Sequence, residues 1–444
     1  MTRATIAQLH GDLAARQRKS LDLVRQSLER IDDAGGQGRK AFIRLFRAQA
    51  LAEASAVDEI GSNGALGGIP VAVKDLFDIA GSVTTAGSRV LRESPPAERD
   101  APAVARLRAA GAIVVGTNNM TEFAMGGLGI NPHYGTPLNP WDRATGRIPG
   151  GSSSGGAVAV ADGMVSAALG SDTAGSIQMP AAFCGITGFK PTARRVPLEG
   201  SIPLAKSLDS VGPLANSVSC CALIDAVLAG EPAERLVPLP VKNLHFAVPQ
   251  TVVLDDLEPA VAAAFAATLS RLSAAGARIT EVPFKEFAEM PALPFSVVEG
   301  YAWHRKLLEQ QRASYDPIVA GRFANGAAVL AADYIDLVEA RANLIRKTAP
   351  ISRPFDALVM PTVPLVAPKL ADFKDNEQLW LATNRRMIRN PGLANFLDRC
   401  AISLPCHESG AAPVGFSLMG ETMGDRRLLS VALAVEQIVR LRAA

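Results

Sequence analysis

The segment Ile69-Pro-Val-Ala-Val73 is apolar at every position, begins at a Gly67-Gly68 turn and ends in Lys74-Asp75. Five residues are too few for a stable helix, and a strand without polar alternation has no side to turn to water. Such a strand needs cover on both faces, which helix-linked parallel strands supply. The next stretches agree: 104–110 reads as a helix and Gly111-Ala-Ile-Val-Val-Gly116 as a strand. After about residue 240 the alternation resumes, with strands predicted at 245–248, 278–282, 356–360, 401–404 and 414–418. Helices are predicted at 257–275, 292–311, 327–348 and 426–442. The first sixty residues read as helical, with Ser20 as an N-cap, Leu21, Val24, Leu28 and Ile31 on one face, and a second helix over 48–59. Helix–strand alternation of this kind implies parallel pairing and an α/β sheet.

The stretch 131–212 has another texture, dense in Gly, Ser, Thr and Pro yet carrying apolar anchors at 157–160, 165–169 and 186–189. It reads as irregular backbone held inside the fold, where functional loops tend to lie. No linker is polar enough to divide the 444 residues, so one large domain is expected despite the length. Hydrophobic residues at 48% exclude disorder over most of the chain. The net charge of +2 gives no electrostatic case for a nucleic-acid or membrane-surface partner. Five cysteines without regular spacing are no disulfide framework, residues 1–17 show no secretory signal, and 173–189 is too short and polar to span a bilayer. A reduced, cytoplasmic protein is expected. His10, His133, His245, His304 and His407 lie far apart, and no cysteine pair has zinc spacing, so no metal is expected.

Chemistry concentrates in three places. Gly150-Gly-Ser-Ser-Ser-Gly-Gly156 lacks the lysine of a phosphate cradle, but paired glycines around hydroxyls let a serine be held in an unusual backbone position. Gly170-Ser-Asp-Thr-Ala-Gly-Ser176 surrounds Ser176 with small residues, which offers a nucleophile access and backbone N–H groups for a developing oxyanion. The scattered histidines carry no Ser-His-Asp signature. Lys74, ending a buried strand, is the better base, since burial lowers an amine's pKa. Without the two serine segments it would read better as an ion pair with Asp75 or a snorkelling lysine.

Together these pieces resemble the amidase signature family: Gly68-Ile-Pro-Val-Ala-Val-Lys-Asp75, the Gly-Gly-Ser-Ser run at 150, and Asp172-Thr-Ala-Gly-Ser176 with Phe189-Lys-Pro-Thr192. Ser152 and Ser176 lie 24 apart, as the family's two serines do. Thr121-Glu-Phe-Ala124, Tyr134-Gly135, Asn139-Pro140, Ala181-Ala-Phe-Cys-Gly185, Met360-Pro-Thr362 and Pro413-Val-Gly415 also fit, over about residues 60–440. The resemblance implies one α/β domain at 61–444, built on a central mixed, mostly parallel sheet with helices on both faces. Residues 1–60 would pack on it, and 230–350 would be a variable helical part near the substrate pocket. It implies an amidohydrolase without cofactor: Ser176 as acyl-accepting nucleophile, Ser152 after a cis peptide as proton relay, and Lys74 as general base and acid. The backbone N–H groups of Thr173, Ala174, Gly175 and Ser176 would form the oxyanion hole, with Ser153, Ser171 and Asp172 in support.

Gln178 and Met179 stand where many members carry Arg, so a carboxylate-bearing substrate such as malonamate is not expected. Ala174 and Ser154 each replace a common Gly. Met125, Gly126, Gly127, Tyr134, Gln178 and Met179 are the candidate substrate-binding residues, with Tyr301 and Trp303 reading at least as well as core. The expected partner is a small-molecule amide, anilide or carbamate, with no nucleic acid or membrane, and with a homodimer left open. Two alternatives stand beside this reading: the glutaminase component of a tRNA-dependent amidotransferase, and a non-catalytic binding protein of the same fold.

Overall fold

The structure, a computed structural model, describes residues 4–61 and 64–440. Its centre is an eleven-stranded sheet. In chain order the strands are β1 (Phe42–Leu45), β2 (Pro70–Lys74), β3 (Ile113–Asn118), β4 (Ala167–Asp172), β5 (Thr187–Lys190), β6 (Ser210–Ala215), β7 (His245–Pro249), β8 (Arg278–Val282), β9 (Ala357–Pro361), β10 (Ala401–Pro405) and β11 (Gly415–Met419). They lie in the order β1-β3-β2-β4-β6-β5-β10-β11-β9-β7-β8.

The chain forms one large α/β domain with a mixed sheet and helices on both faces. Side-chain alternation along the strands shows both covered faces. Val71, Val73 and Leu169 point into one core with Val104, Leu107 and Leu428, while Ala72 and Ala168 point into another with Val24, Leu28 and Val158. The expected dominance of parallel pairs holds only locally. β3-β2-β4 and β9-β7-β8 are parallel, whereas the remaining six pairings, including all those among β4, β6, β5, β10, β11 and β9, are antiparallel. Antiparallel neighbours need no helical crossover, and two of these pairs, β5–β6 and β10–β11, are joined directly by loops.

Stretch 131–212 is more regular than expected. It holds helix Ser154–Ala161, β4, helix Gln178–Cys184, β5 and part of β6. Helix Ser154–Ala161 is buried at every position, so it lacks the amphipathic period that marks a surface helix. A Cβ on its Gly155 would lie 2.2 Å from the Ala41 carbonyl oxygen, so only glycine lets the helix sit this close to β1 and β3. Ser20 is the first helical residue of Ser20–Asp32 rather than its cap. Asp58 supplies the cap from the neighbouring helix, accepting from the Ser20 and Leu21 amides at 2.7 and 3.0 Å. β1 interrupts the predicted helical N-terminus and pairs with β3. Among the described residues no helix is long and apolar enough to cross a membrane, and no three His, Cys, Asp or Glu are grouped to hold a metal. All five cysteines are buried and unbridged.

Candidate active site

Parallel neighbours β2 and β4 end side by side, with Val73 opposite Leu169, and their carboxyl ends deliver Lys74, Ser171 and Asp172 to one point. This is where open α/β sheets collect ligand-handling groups. Lys74 Nζ lies 2.7 Å from Ser152 Oγ and 2.9 Å from Ser171 Oγ. It makes no ion pair with Asp75, whose carboxylate accepts from the Thr85 hydroxyl and the Gly87 amide. Burial pushes the Lys74 amine down to about 7, against the charges of Asp172 and Asp209, which hold it up.

Ser152 is fully buried and follows a cis Gly151–Ser152 peptide. Its loop is held from three sides: the Gly151 amide donates to Gly127 O at 2.6 Å, the Thr121 amide to Ser152 O at 3.1 Å, and the Ser153 amide to Ser176 O at 3.2 Å. The last bond ties the two serine segments together. Ser153 Oγ donates to Ser171 O at 3.3 Å. Ser176 keeps 5% exposure where Ser152 has none, so of the two serines it is the one open to a ligand.

Asp172 shapes the turn before Ser176. One carboxylate oxygen accepts from the Gly175 amide at 2.7 Å, the other from the Ile177 amide at 2.8 Å. Gly175 has φ +108°, and a Cβ there would lie 2.5 Å from Pro391 Cγ, so glycine is required twice over. The Gly175 amide is thus engaged, whereas those of Thr173, Ala174 and Ser176 donate to no protein group among the described residues. The Thr173 hydroxyl donates to buried Asp209 at 2.5 Å, and Asn395 Nδ2 donates to Asp172 O at 2.9 Å. Burial pushes the Asp209 carboxyl up to about 6. No histidine among the described residues bonds to Lys74, Ser152 or Ser176; His304, for one, pairs with Tyr315 at 2.8 Å inside an aromatic cluster.

The pocket candidates separate. Met125, Gly126 and Gly127 run past the Ser152 loop, and a Cβ on Gly127 would lie 2.7 Å from Met179 Cε. Gln178 Nε2 reaches Asp172 at 3.4 Å, while its Oε1 is buried without a partner among the described residues. Tyr134 lies apart, its ring under Arg92 and its hydroxyl donating to Ser88 O, with no hydrogen bond to the three central residues. Tyr301 and Trp303 pack against the main core, Trp303 beside Phe123 and His304. Sequence reasoning missed Asp209, Arg322, Trp380, Asn384, Pro391 and Asn395. The Asn384 side chain accepts from the Gly127 amide at 2.7 Å and Pro391 presses on Gly175. These residues come from 209 to 395 and are joined to the serine segments only by folding, so local spacing carried no signal for them.

Comparison with known proteins gives a consistent picture. The family described as Amidase matches residues 22–429. The 2-amino-5-chloromuconic acid deaminase of Comamonas testosteroni is 36% identical over 88% of this chain and 87% of its own length. A glutamyl-tRNA(Gln) amidotransferase subunit of Chloroflexus aggregans is 35% identical over 98% of this chain and 96% of its own. A solved amidase superposes with TM-score 0.87 at 33% identity, covering 98% of this chain and all of that one.

Proposed function

The chain belongs to the amidase family, and from that premise we propose that it hydrolyses the C–N bond of a carboxylic amide through an acyl-enzyme on Ser176. Neutral Lys74 takes the Ser152 proton as Ser152 takes that of Ser176, and Ser176 Oγ attacks the carbonyl carbon. The oxyanion is received by the amides of Thr173, Ala174 and Ser176, while the Gly175 amide keeps the turn in shape through Asp172. The proton then returns from Lys74 through Ser152 to the leaving nitrogen, the C–N bond breaks, and water repeats the sequence on the ester. Anilides and carbamates offer the same carbonyl and are accepted on the same grounds.

The observation that supports this reading is the Lys74 amine, buried, without a carboxylate partner among the described residues, pushed to about 7 and 2.7 Å from Ser152 Oγ. A binding protein has no use for such a group, because an unpaired buried amine costs stability. The likeness to the tRNA-dependent amidotransferase protein over nearly the whole chain favours a second reading, a glutaminase that works only with partner proteins. A panel of amides, anilides and carbamates assayed on purified wild type and Ser176→Ala decides. Turnover by wild type alone, lower by about 10³-fold or more in Ser176→Ala, is expected. A serine-directed sulfonyl fluoride should label wild type and not the variant. Unchanged labelling would remove Ser176 as nucleophile, and turnover only with co-purified partners would favour the second reading.

A further inference from the structure

The carbonyl that opens the turn before Ser176 is held from behind. Asp172 O accepts from Ser210 Oγ at 3.0 Å and from Asn395 Nδ2 at 2.9 Å. Ser210 stands opposite Asp172 in the β4–β6 ladder. Asn395 comes from helix Pro391–Phe396, whose Pro391 faces Gly175 in the same turn. Asp172, Ser210 and Asn395 are all buried. Asn395 Nδ2 also reaches Leu208 O at 3.4 Å. Both of these neighbours are carbonyl oxygens, which accept and cannot donate, so the side-chain amide must stand with its nitrogen toward them. Its Oδ1 is left buried without a partner among the described residues. Arg341, from helix Ala331–Ser352, fixes the end of the short helix, donating to Phe396 O at 2.8 Å and to Ser207 O at 3.0 Å.

A peptide unit is planar, and in its trans form the C=O and N–H point opposite ways. The Asp172–Thr173 peptide is trans. Fixing Asp172 O therefore fixes the direction of the Thr173 N–H, one of the three amides of the turn that donate to no protein group among the described residues. The Thr173 hydroxyl is tied separately to Asp209 at 2.5 Å, so the residue is held at its side chain as well as at its peptide plane. The Asp172 carboxylate gathers the Gly175 and Ile177 amides, which folds the turn back and keeps Ser176, between them in sequence, close to residue 172. A donor aimed before the reaction stabilises a developing negative charge without reorganising. The unpartnered Oδ1 of Asn395 is a cost to stability that an apolar side chain of the same size would avoid, so this side chain serves something other than packing.

We propose that Asn395 and Ser210 are positioning residues of the oxyanion hole: they hold the Asp172 carbonyl so that the Thr173 N–H points where the carbonyl oxygen of a group bound to Ser176 becomes negative. This rests on the amidohydrolase reading, in which Ser176 is the nucleophile. The test uses Asn395→Leu, which keeps the volume and removes the donors, Ser210→Ala, and the double variant. Hydrolysis of butyramide and benzamide is compared with calorimetric binding of butyraldehyde and benzaldehyde. Ser176 Oγ adds to the aldehyde carbon as the C=O π bond opens, its proton passes through Ser152 to Lys74, and the aldehyde oxygen is left in the hole as an anion. Each single variant should lower kcat by about 10-fold or more and weaken aldehyde binding by the same factor. The double variant should lose about 10²- to 10³-fold, as when one donor is removed. KM and the acidic limb of the pH–rate profile should stay where wild type has them, since neither residue bonds to Lys74. A general loosening of the site would move both. Should Asn395→Leu not fold, Ser210→Ala decides by the same comparison. Unchanged kcat in the folded single variants, or a lower kcat with aldehyde binding intact, overturns the proposal. If wild type cleaves neither amide, yet binds the aldehydes more tightly than Ser176→Ala does and loses that margin in the single variants, the hydrolase reading fails and the positioning role stands. Aldehyde binding no tighter in wild type than in Ser176→Ala overturns the positioning role.

Discussion

At the residue scale the proposed chemistry depends on how one amine is held. Lys74 is pushed down by burial and held up by Asp172 and Asp209, so its protonation follows those two carboxylates as well as the solvent. A base must be neutral to work, so activity should be lost as pH falls through about 7. Asp172→Asn removes a negative charge that favours the ammonium form, so the acidic limb of kcat/KM should move to lower pH. The alkaline plateau should fall by about 10- to 1000-fold, because the amide side chain turns a donor toward the Gly175 and Ile177 amides that the carboxylate now accepts. A pH–rate profile of both proteins checks this. A limb that stays in place would show that another group titrates.

At the element scale, legibility follows side-chain pattern. β2 is readable because five apolar residues between glycines and Lys74-Asp75 admit little else. Lys74, Ser152 and Ser176, the residues of the proposed mechanism, stand out in the sequence because three short motifs keep a family's spacing. β4, Ala-Ala-Leu-Gly-Ser-Asp, is hidden because small residues that allow close packing carry no strand signal. Its neighbour helix Ser154–Ala161 shows in the sequence only as an apolar helix-like run after the glycines, because burial at every position removes the amphipathic period. Arg322 and Trp380 are illegible because they reach the 125–127 segment only through tertiary packing. The cap of helix Ser20–Asp32 shows how a plausible local signal is displaced: Ser20 has the residue type of a cap, but its hydroxyl donates to Gly68 O at 2.9 Å and Asp58 takes the exposed amides instead. Asp58→Ala should therefore destabilise by about 1 kcal/mol in urea unfolding, with kcat unchanged, since Asp58 touches nothing near Lys74. Ser20→Ala should act through a different loss, the buried bond to Gly68. Full stability in Asp58→Ala would show that water satisfies those amides equally well.

At the scale of the whole molecule, the N-terminal sixty residues are stitched into the body that carries the site. β1 pairs antiparallel with β3 and closes that edge of the sheet. Val24, Leu28, Ile31, Ala50 and Ala54 cover Ala72, Val115 and the helix Ser154–Ala161 in one continuous core. The connection reaches the chemistry through backbone bonds: the Asn119 amide donates to Ala41 O at 2.9 Å, and Asn119 O in turn receives the Gly155 amide, three residues from Ser152. Asn119 Nδ2 also donates to Lys40 O at 2.8 Å. Deleting residues 1–60 would bare the apolar edge strand β3, uncover a broad Ala and Val surface and take from Asn119 the Ala41 carbonyl that its amide holds and the Lys40 carbonyl that its Nδ2 holds. Each of these favours association over folding. The truncated chain is expected in the insoluble fraction, or, where soluble, without a cooperative thermal transition and without amide turnover. A soluble fragment melting cooperatively with wild-type kcat would mean that the N-terminal segment is a dispensable cover rather than part of the domain that holds Ser152 in place.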